Sequence, residues 1–219
     1  MPPSRELFRI GYEPNVWALP DWKYISRIDG AFPNRYDDPL GEYRVLYAGS
    51  QRLACFMEKL ARFRIASEVA AGLPEIEDPD KKEKEYPVGT VSRRLFEPLR
   101  LGRATLNIPE HRCANIASSE WIARLRPVLL PHFSALGIKD FDGSSLLLTS
   151  PRRLTQIISR YVYEEGFLGI RYPSKHGLEL DNWAFLNCVP VIDPGMERIR
   201  LDDPDLQQAL KLHALKLGD

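Results

Sequence analysis

At 219 residues, 44% of them hydrophobic, the chain is long enough to bury a full core as one domain or as one domain with a large insertion. Thirty basic and thirty acidic residues cancel. That excludes a nucleic-acid surface built on bulk positive charge, although a local basic patch stays compatible with it. No apolar run is long enough to cross a bilayer, and MPPSRELFRI lacks the continuous apolar core of a secretory leader, so a cytoplasmic protein is expected.

Three cysteines, Cys55, Cys113 and Cys188, form no C-x-x-C pair and read as reduced, buried thiols. The histidines are scattered without metal-ligand spacing, so no metal site is expected.

In chain order, ELFRIGY reads as a first strand. Residues 13 to 41 are rich in Pro, Asp, Asn and Gly, with Trp17, Trp22, Tyr24 and Phe32 interleaved, which predicts a loop packed onto the body or onto a ligand. YRVLYAG is the next strand, and Ser50 is expected to cap a helix from Gln51 to about Arg64 with Leu53, Phe56, Met57 and Leu60 on its apolar stripe. The charged, proline-bracketed residues 73 to 87 read as an exposed loop. VGTVSRRLFEPLRLGRATL reads as one or two strands whose arginines, Arg93, Arg94, Arg100 and Arg103, face water at a sheet edge.

SSEWIARLRPVLLPHFSALG reads as an inserted helical element broken at Pro127 and Pro131. A cleaner helix follows, with Ser150 at its cap, Pro151 at its first position and Gly166 as its stop. FLGIRYPSKHG then gives a strand ending at Pro173, NWAFLNCVPVID one or two more, and DDPDLQQALKLHALKL a last helix capped by Asp203 or its neighbour. Strands and helices mix without strict β-α alternation, so the class is α+β.

The phosphate-binding loop, the dinucleotide turn, the zinc-protease helix and the nucleophile elbow are all absent. What remains is a dispersed polar set at element ends: Arg9, Arg35, Tyr47, Glu58 and Ser174. Glu58 stands at the edge of its helix's apolar stripe, where a solvated flank residue is the ordinary explanation. Its face also carries the small residues Ala54 and Ala61, which leave room around a carboxylate.

Taken in order, LFRI, then NRYDDPLGEYRVLYAGSQRLACFMEKLARF, then TQIISRYVYEEGFLGIRYPSKHGLELDNWAFLN resemble the RES family, named for its arginine, glutamate and serine and supplying the toxin of RES–Xre toxin–antitoxin pairs. The eleven-residue spacing from Tyr47 to Glu58 and the Y-P-S turn before an N-W-A-F strand are family-like. The resemblance covers roughly residues 5 to 65 and 150 to 190, which leaves 66 to 148 as an enlarged insertion in a single domain spanning 1–219.

It implies an ADP-ribosyltransferase-like fold, a mixed or antiparallel β core with flanking helices, acting on NAD⁺ without a metal. Members degrade NAD⁺ by hydrolysis or phosphorolysis, or pass ADP-ribose to a host protein. By resemblance Arg9 and Arg35 hold the dinucleotide, Tyr47 is the pocket tyrosine, Glu58 the catalytic glutamate and Ser174 the family's serine. An Xre-type antitoxin is the implied partner. One departure stands out: where the family has a glycine-rich G-R-W-N-like turn, this chain has Pro33-Asn34-Arg35-Tyr36-Asp37, and Asp37 is expected to add negative charge beside the pyrophosphate.

These residue types suit that chemistry. Cleaving the nicotinamide–ribose bond builds oxocarbenium-like charge that a carboxylate stabilises. A pyrophosphate takes forked arginine donors, and a tyrosine offers both a stacking face and a hydroxyl. Three other readings stand beside NAD⁺ cleavage: mono-ADP-ribosylation of a host protein, a non-catalytic module that binds a nucleotide or partner, and a ribonuclease. Neutral charge and the lack of a histidine-rich catalytic set count against the last.

Overall fold

Alternation of side chains along β2 (Val45–Gly49) sets the plan of the molecule. Val45 and the ring of Tyr47 pack into one core, while Leu46 and Ala48 pack into another on the opposite face. The computed structural model describes residues 6–26, 32–64, 89–106, 108–147, 152–187 and 191–219. Ser150, Pro151, Cys188 and the charged stretch 73–87 lie outside them.

Among the described residues, β1 (Glu6–Tyr12), β2, β4 (Leu99–Leu106), β5 (Cys113–Asn115), β6 (Gly169–Ser174), β7 (Gly177–Leu186) and β8 (Val191–Arg198) form one sheet in the order β5-β6-β7-β2-β1-β4-β8. All neighbours run antiparallel except the edge pair β5–β6. A separate parallel pair joins β3 (Thr90–Ser92) to β9 (Lys216–Gly218). The helices are α1 (Arg52–Leu60), α2 (Ser119–Leu129), the single turn α3 (Phe133–Leu136), α4 (Arg152–Glu164) and α5 (Pro204–Leu212). This is an α+β fold: a mixed, largely antiparallel sheet with helices packed against it. No helix among the described residues is long and apolar enough to cross a membrane.

Helices α2 and α4 cover the face carrying Val45, burying Trp121, Leu125, Leu129, Leu154, Ile158 and Val162 against Ile170, Ala184 and Leu186. Helix α1 packs with α5 through Phe56, Met57, Leu60, Leu206 and Leu210. Asp203 caps α5, accepting from the amides of Asp205 and Leu206. The described part of 66–148 supplies β3, β4, β5, α2 and α3, with β4 paired to β1 along its length and β5 to β6.

Several local expectations change. Ser50 does not cap α1. Its hydroxyl accepts the Trp183 indole N–H at 2.8 Å, and Gln51 takes the cap position without a side-chain cap bond. Pro127 does not break its helix; α2 runs through it to Leu129, carried by its buried face, and the chain bends at the 3₁₀ turn Leu130–His132 containing Pro131. Arg100 is buried rather than solvated, paired with Glu13 at 2.8 Å and bonded to the carbonyls of Glu97 and Leu99. Arg103 is exposed as expected.

In the 13–41 loop Trp17 and Phe32 are buried, whereas Trp22 and Tyr24 stand out. Trp17 lies so close to Gly102 that a Cβ there would meet its indole Nε1 at 3.0 Å and Val16 Cγ2 at 2.3 Å, so the loop seats on β4 only because that residue is glycine.

Candidate active site

β2 runs directly into α1, and the turn between them is held down by β7. Ser50 N–H donates to the Asp181 carbonyl, while the Gln51 amide both donates to the Glu179 carbonyl and accepts from Asp181 N–H. This fixes α1 over the end of β2 and brings Glu58 to the wall of a cavity of about 790 Å³. The cavity is lined by β1 (Arg9, Ile10), the end of β2 (Tyr47 to Gly49), α1 and the turn after it (Cys55, Glu58, Lys59, Ala61, Arg62), and Tyr172 and Asn182 on β6 and β7. Lys175 and His176 from the β6–β7 turn, Asn34 and Arg35 from the loop, and Arg152 at the start of α4 complete it.

The Glu58 carboxylate is held by one oxygen. Oε1 accepts from Ser174 Oγ and from Asn182 Nδ2, both at 2.8 Å. Ser174 is fully buried, does not line the cavity, and accepts the His176 backbone N–H at 3.1 Å. The second oxygen, Oε2, has no hydrogen bond among the described residues; the His176 Nε2 atom is 3.9 Å away and itself buried without a partner. The ring behind His176 is His213, edge-on at 5.2 Å and hydrogen-bonded to the Met57 carbonyl. Burial, with Lys175, His213 and Arg64 nearby, drives His176 down to about 4 despite the opposing pull of Glu58. At neutral pH an uncharged imidazole therefore sits beside the carboxylate.

Arg9 is the second unusual group. Its Nε and Nη1 atoms are shut off from solvent with no hydrogen-bond partner among the described residues, and burial brings the guanidinium down to about 10. A buried cation without a partner among the described residues is costly, and this one stands at the cavity wall. Beside it, the Cys55 thiol donates to the Phe8 carbonyl, and burial pushes it up to about 12.

The segment 33–37 is pinned by one face of α4. Arg152 donates to the Pro33 carbonyl at 2.6 Å, Gln156 to Asn34 at 3.4 Å and Ser159 to Tyr36 at 2.6 Å. Arg35 donates to the Leu146 carbonyl and lies over the rings of Tyr36 and Tyr172 at 5.4 and 5.6 Å, with its Nε buried and unpartnered among the described residues. Asp37 does not point at the cavity. It is buried, accepts the Tyr47 hydroxyl at 2.9 Å and the Asn34 N–H at 2.7 Å, and burial raises its carboxyl pKa. Its carboxyl is therefore turned away from the cavity, because the Tyr47 hydroxyl holds it inward to brace the loop. The Tyr47 hydroxyl also accepts the Tyr36 N–H at 3.0 Å, so it is committed to the loop and only its flank meets the cavity.

The five residues singled out from the sequence thus gather at one place: Arg9, Arg35, Tyr47 and Glu58 line the cavity, and Ser174 stands behind Glu58. Of the residues flanking Glu58, Ala61 lines the cavity while Ala54 is in the core. None of the four loop aromatics lines it. Asn182 and His176 were not singled out, though each lay in a quoted motif, NWAF and PSKHG. Position relative to Ser174 was the only available signal: the register sets Tyr172 opposite Asn182, and His176 is two residues on from Ser174. Among the described residues no group of three or more acidic, histidine or cysteine side chains is arranged to hold a metal.

A model of the family described as the RES domain matches residues 6–206. No curated protein matches the chain. Among solved structures, a chain of the M. tuberculosis MbcT–MbcA toxin–antitoxin complex is similar at 12% identity and a TM-score of 0.47, covering 96% of this chain and 90% of that one.

Proposed function

Because the chain belongs to the RES domain family over residues 6–206, we propose that it is a NAD⁺-consuming enzyme of ADP-ribosyltransferase-like fold that cleaves the nicotinamide–ribose bond. One observation carries the reading: in a single cavity, a carboxylate pinned through Oε1 with Oε2 unengaged accompanies a guanidinium whose buried Nε and Nη1 have no hydrogen-bond partner among the described residues. The first is what a developing ribosyl cation needs and the second is what a pyrophosphate needs.

Arg9 and Arg35 take the phosphates, Arg9 through the donors now unanswered. The flank of Tyr47 and the ring of Tyr172 border the space left for a flat heterocycle. Glu58 Oε2 faces the ribose, orienting a hydroxyl and stabilising positive charge as the C1′–N bond breaks. The bonding pair leaves with the ring nitrogen, so the pyridinium departs as neutral nicotinamide and needs no proton. The nucleophile then closes on C1′ and releases its proton to solvent. Ser174 and Asn182 are positioning residues that aim Glu58.

A protein partner of antitoxin type belongs to the same reading, and co-expression that restores growth would reveal it. The direct test incubates the protein with NAD⁺ with and without inorganic phosphate and identifies the ribosyl product by mass. Free nicotinamide together with ADP-ribose or its 1″-phosphate is expected. ADP-ribose found attached to protein would shift the reading to ADP-ribosyl transfer, and intact NAD⁺ would overturn it.

A further inference from the structure

Outside the cavity, several arginines are answered by carboxylates. Arg52 pairs with Glu197, Asp203 and Asp205, Arg124 with Glu165, Arg126 with Asp140, Arg160 with Glu42 and Glu164, and Arg171 with Asp181. Within it, Glu58 is the one carboxylate among the lining residues. Lys59 and Arg62, which line the same cavity, have no ion pair among the described residues. Arg62 stands at the i,i+4 position from Glu58, where a helical pair is ordinarily formed, yet the carboxylate turns to Ser174 and Asn182 instead. Lys59 rests over the Tyr12 ring at 5.4 Å and Arg62 over Phe63 at 4.8 Å. Arg9, Lys59 and Arg62 all line the cavity, and burial, then Arg62 and Arg9, lower the Lys59 ammonium pKa.

NAD⁺ carries two phosphates offset in part by its own pyridinium charge, and Arg9 and Arg35 suffice for its pyrophosphate. Lys59 and Arg62, cations beyond those two that have no ion pair among the described residues, call for a further dianion. We propose that Lys59 and Arg62 form a subsite for a phosphate monoester, and that the preferred substrate is the 2′-phosphorylated dinucleotide NADP⁺. This rests on the nicotinamide-cleaving reading above.

The test is equilibrium binding, at physiological salt, of ADP-ribose and its 2′-phosphorylated form to the wild type, to Lys59→Gln/Arg62→Gln, and to the single variant Arg62→Gln, whose side chain is exposed and leaves the core intact. The 2′-phosphate form is expected to bind the wild type at least roughly tenfold more tightly, with the preference reduced in Arg62→Gln and lost in the double variant. Equal binding of the two ligands, or a preference that survives both variants, overturns the subsite. Neither ligand contains the scissile bond, so this result is independent of activity; failure of the cleavage reading would show instead as no nicotinamide released from either dinucleotide. Inorganic phosphate is the second possible source of the dianion. Phosphate-stimulated cleavage of NAD⁺ that the double variant abolishes, without a preference between the two ADP-riboses, would assign the cations to free phosphate and overturn the NADP⁺ assignment.

Discussion

Ser174 donates its hydroxyl to Glu58 Oε1 at 2.8 Å across 116 residues of chain, joining the end of β6 to the middle of α1. With Asn182 on the same oxygen, the carboxylate is aimed by two elements of the sheet rather than by its own helix. Ser174→Ala should therefore lower kcat by roughly ten- to a hundredfold with little change in KM, as mis-aimed catalytic groups do. The same change in a Glu58→Gln background should cost almost nothing more, since the group it aims is already gone. Equal losses in both backgrounds would mean that Ser174 acts elsewhere.

Arg9 predicts an exchange of stability for function. Its Nε and Nη1 are buried without a partner among the described residues, so Arg9→Met should raise the stability of the ligand-free protein by about 1 kcal/mol or more while abolishing dinucleotide binding. Thermal melts with and without NAD⁺ read both effects. A variant that melts lower and still binds would contradict this role.

Tyr47 braces the 33–37 segment through Asp37. Tyr47→Phe removes the donor to a buried carboxylate and should destabilise the fold by roughly 1–3 kcal/mol in urea titration. Because the carboxyl pKa of Asp37 is already raised by burial, Asp37→Asn in the same background should recover part of that loss. No recovery would place the cost elsewhere.

His176 gives a pH signature. Its folded value of about 4 lies below the ordinary 6.5, so between those values the unfolded chain binds the proton more readily. The stability contributed by the neutral ring is fully present above 6.5 and is lost as pH falls toward 4. Melting temperature should fall from pH 7 to pH 5 in the wild type and fall less steeply in His176→Asn. Parallel slopes for the two proteins would show that the ring does not titrate as described.

Much of the frame was legible because it is local. The change of period from β2 to α1 marked the strand–helix unit, and Asp203 before Pro204 marked the start of α5. The three-residue strands β5 and β9 were not legible, since each exists only by pairing with a distant partner. Ser50 looked like a cap because nothing in the local sequence announces that Trp183 will claim its hydroxyl. The same limit governs the site. Glu58 and Ser174 could be named, but not their hydrogen bond, and Asp37 turned inward through a tyrosine ten residues away. Asn182 read as one more strand residue until the register placed it against Glu58.

The decisive comparison is nicotinamide release from NAD⁺ by the wild type and by Glu58→Gln, with circular dichroism showing both folded. Glutamine keeps the size of the side chain and an acceptor for Ser174 but removes the negative charge, and release should fall at least roughly a hundredfold. Equal release from the two proteins would contradict the role assigned to Glu58 and with it the whole assignment of the cavity.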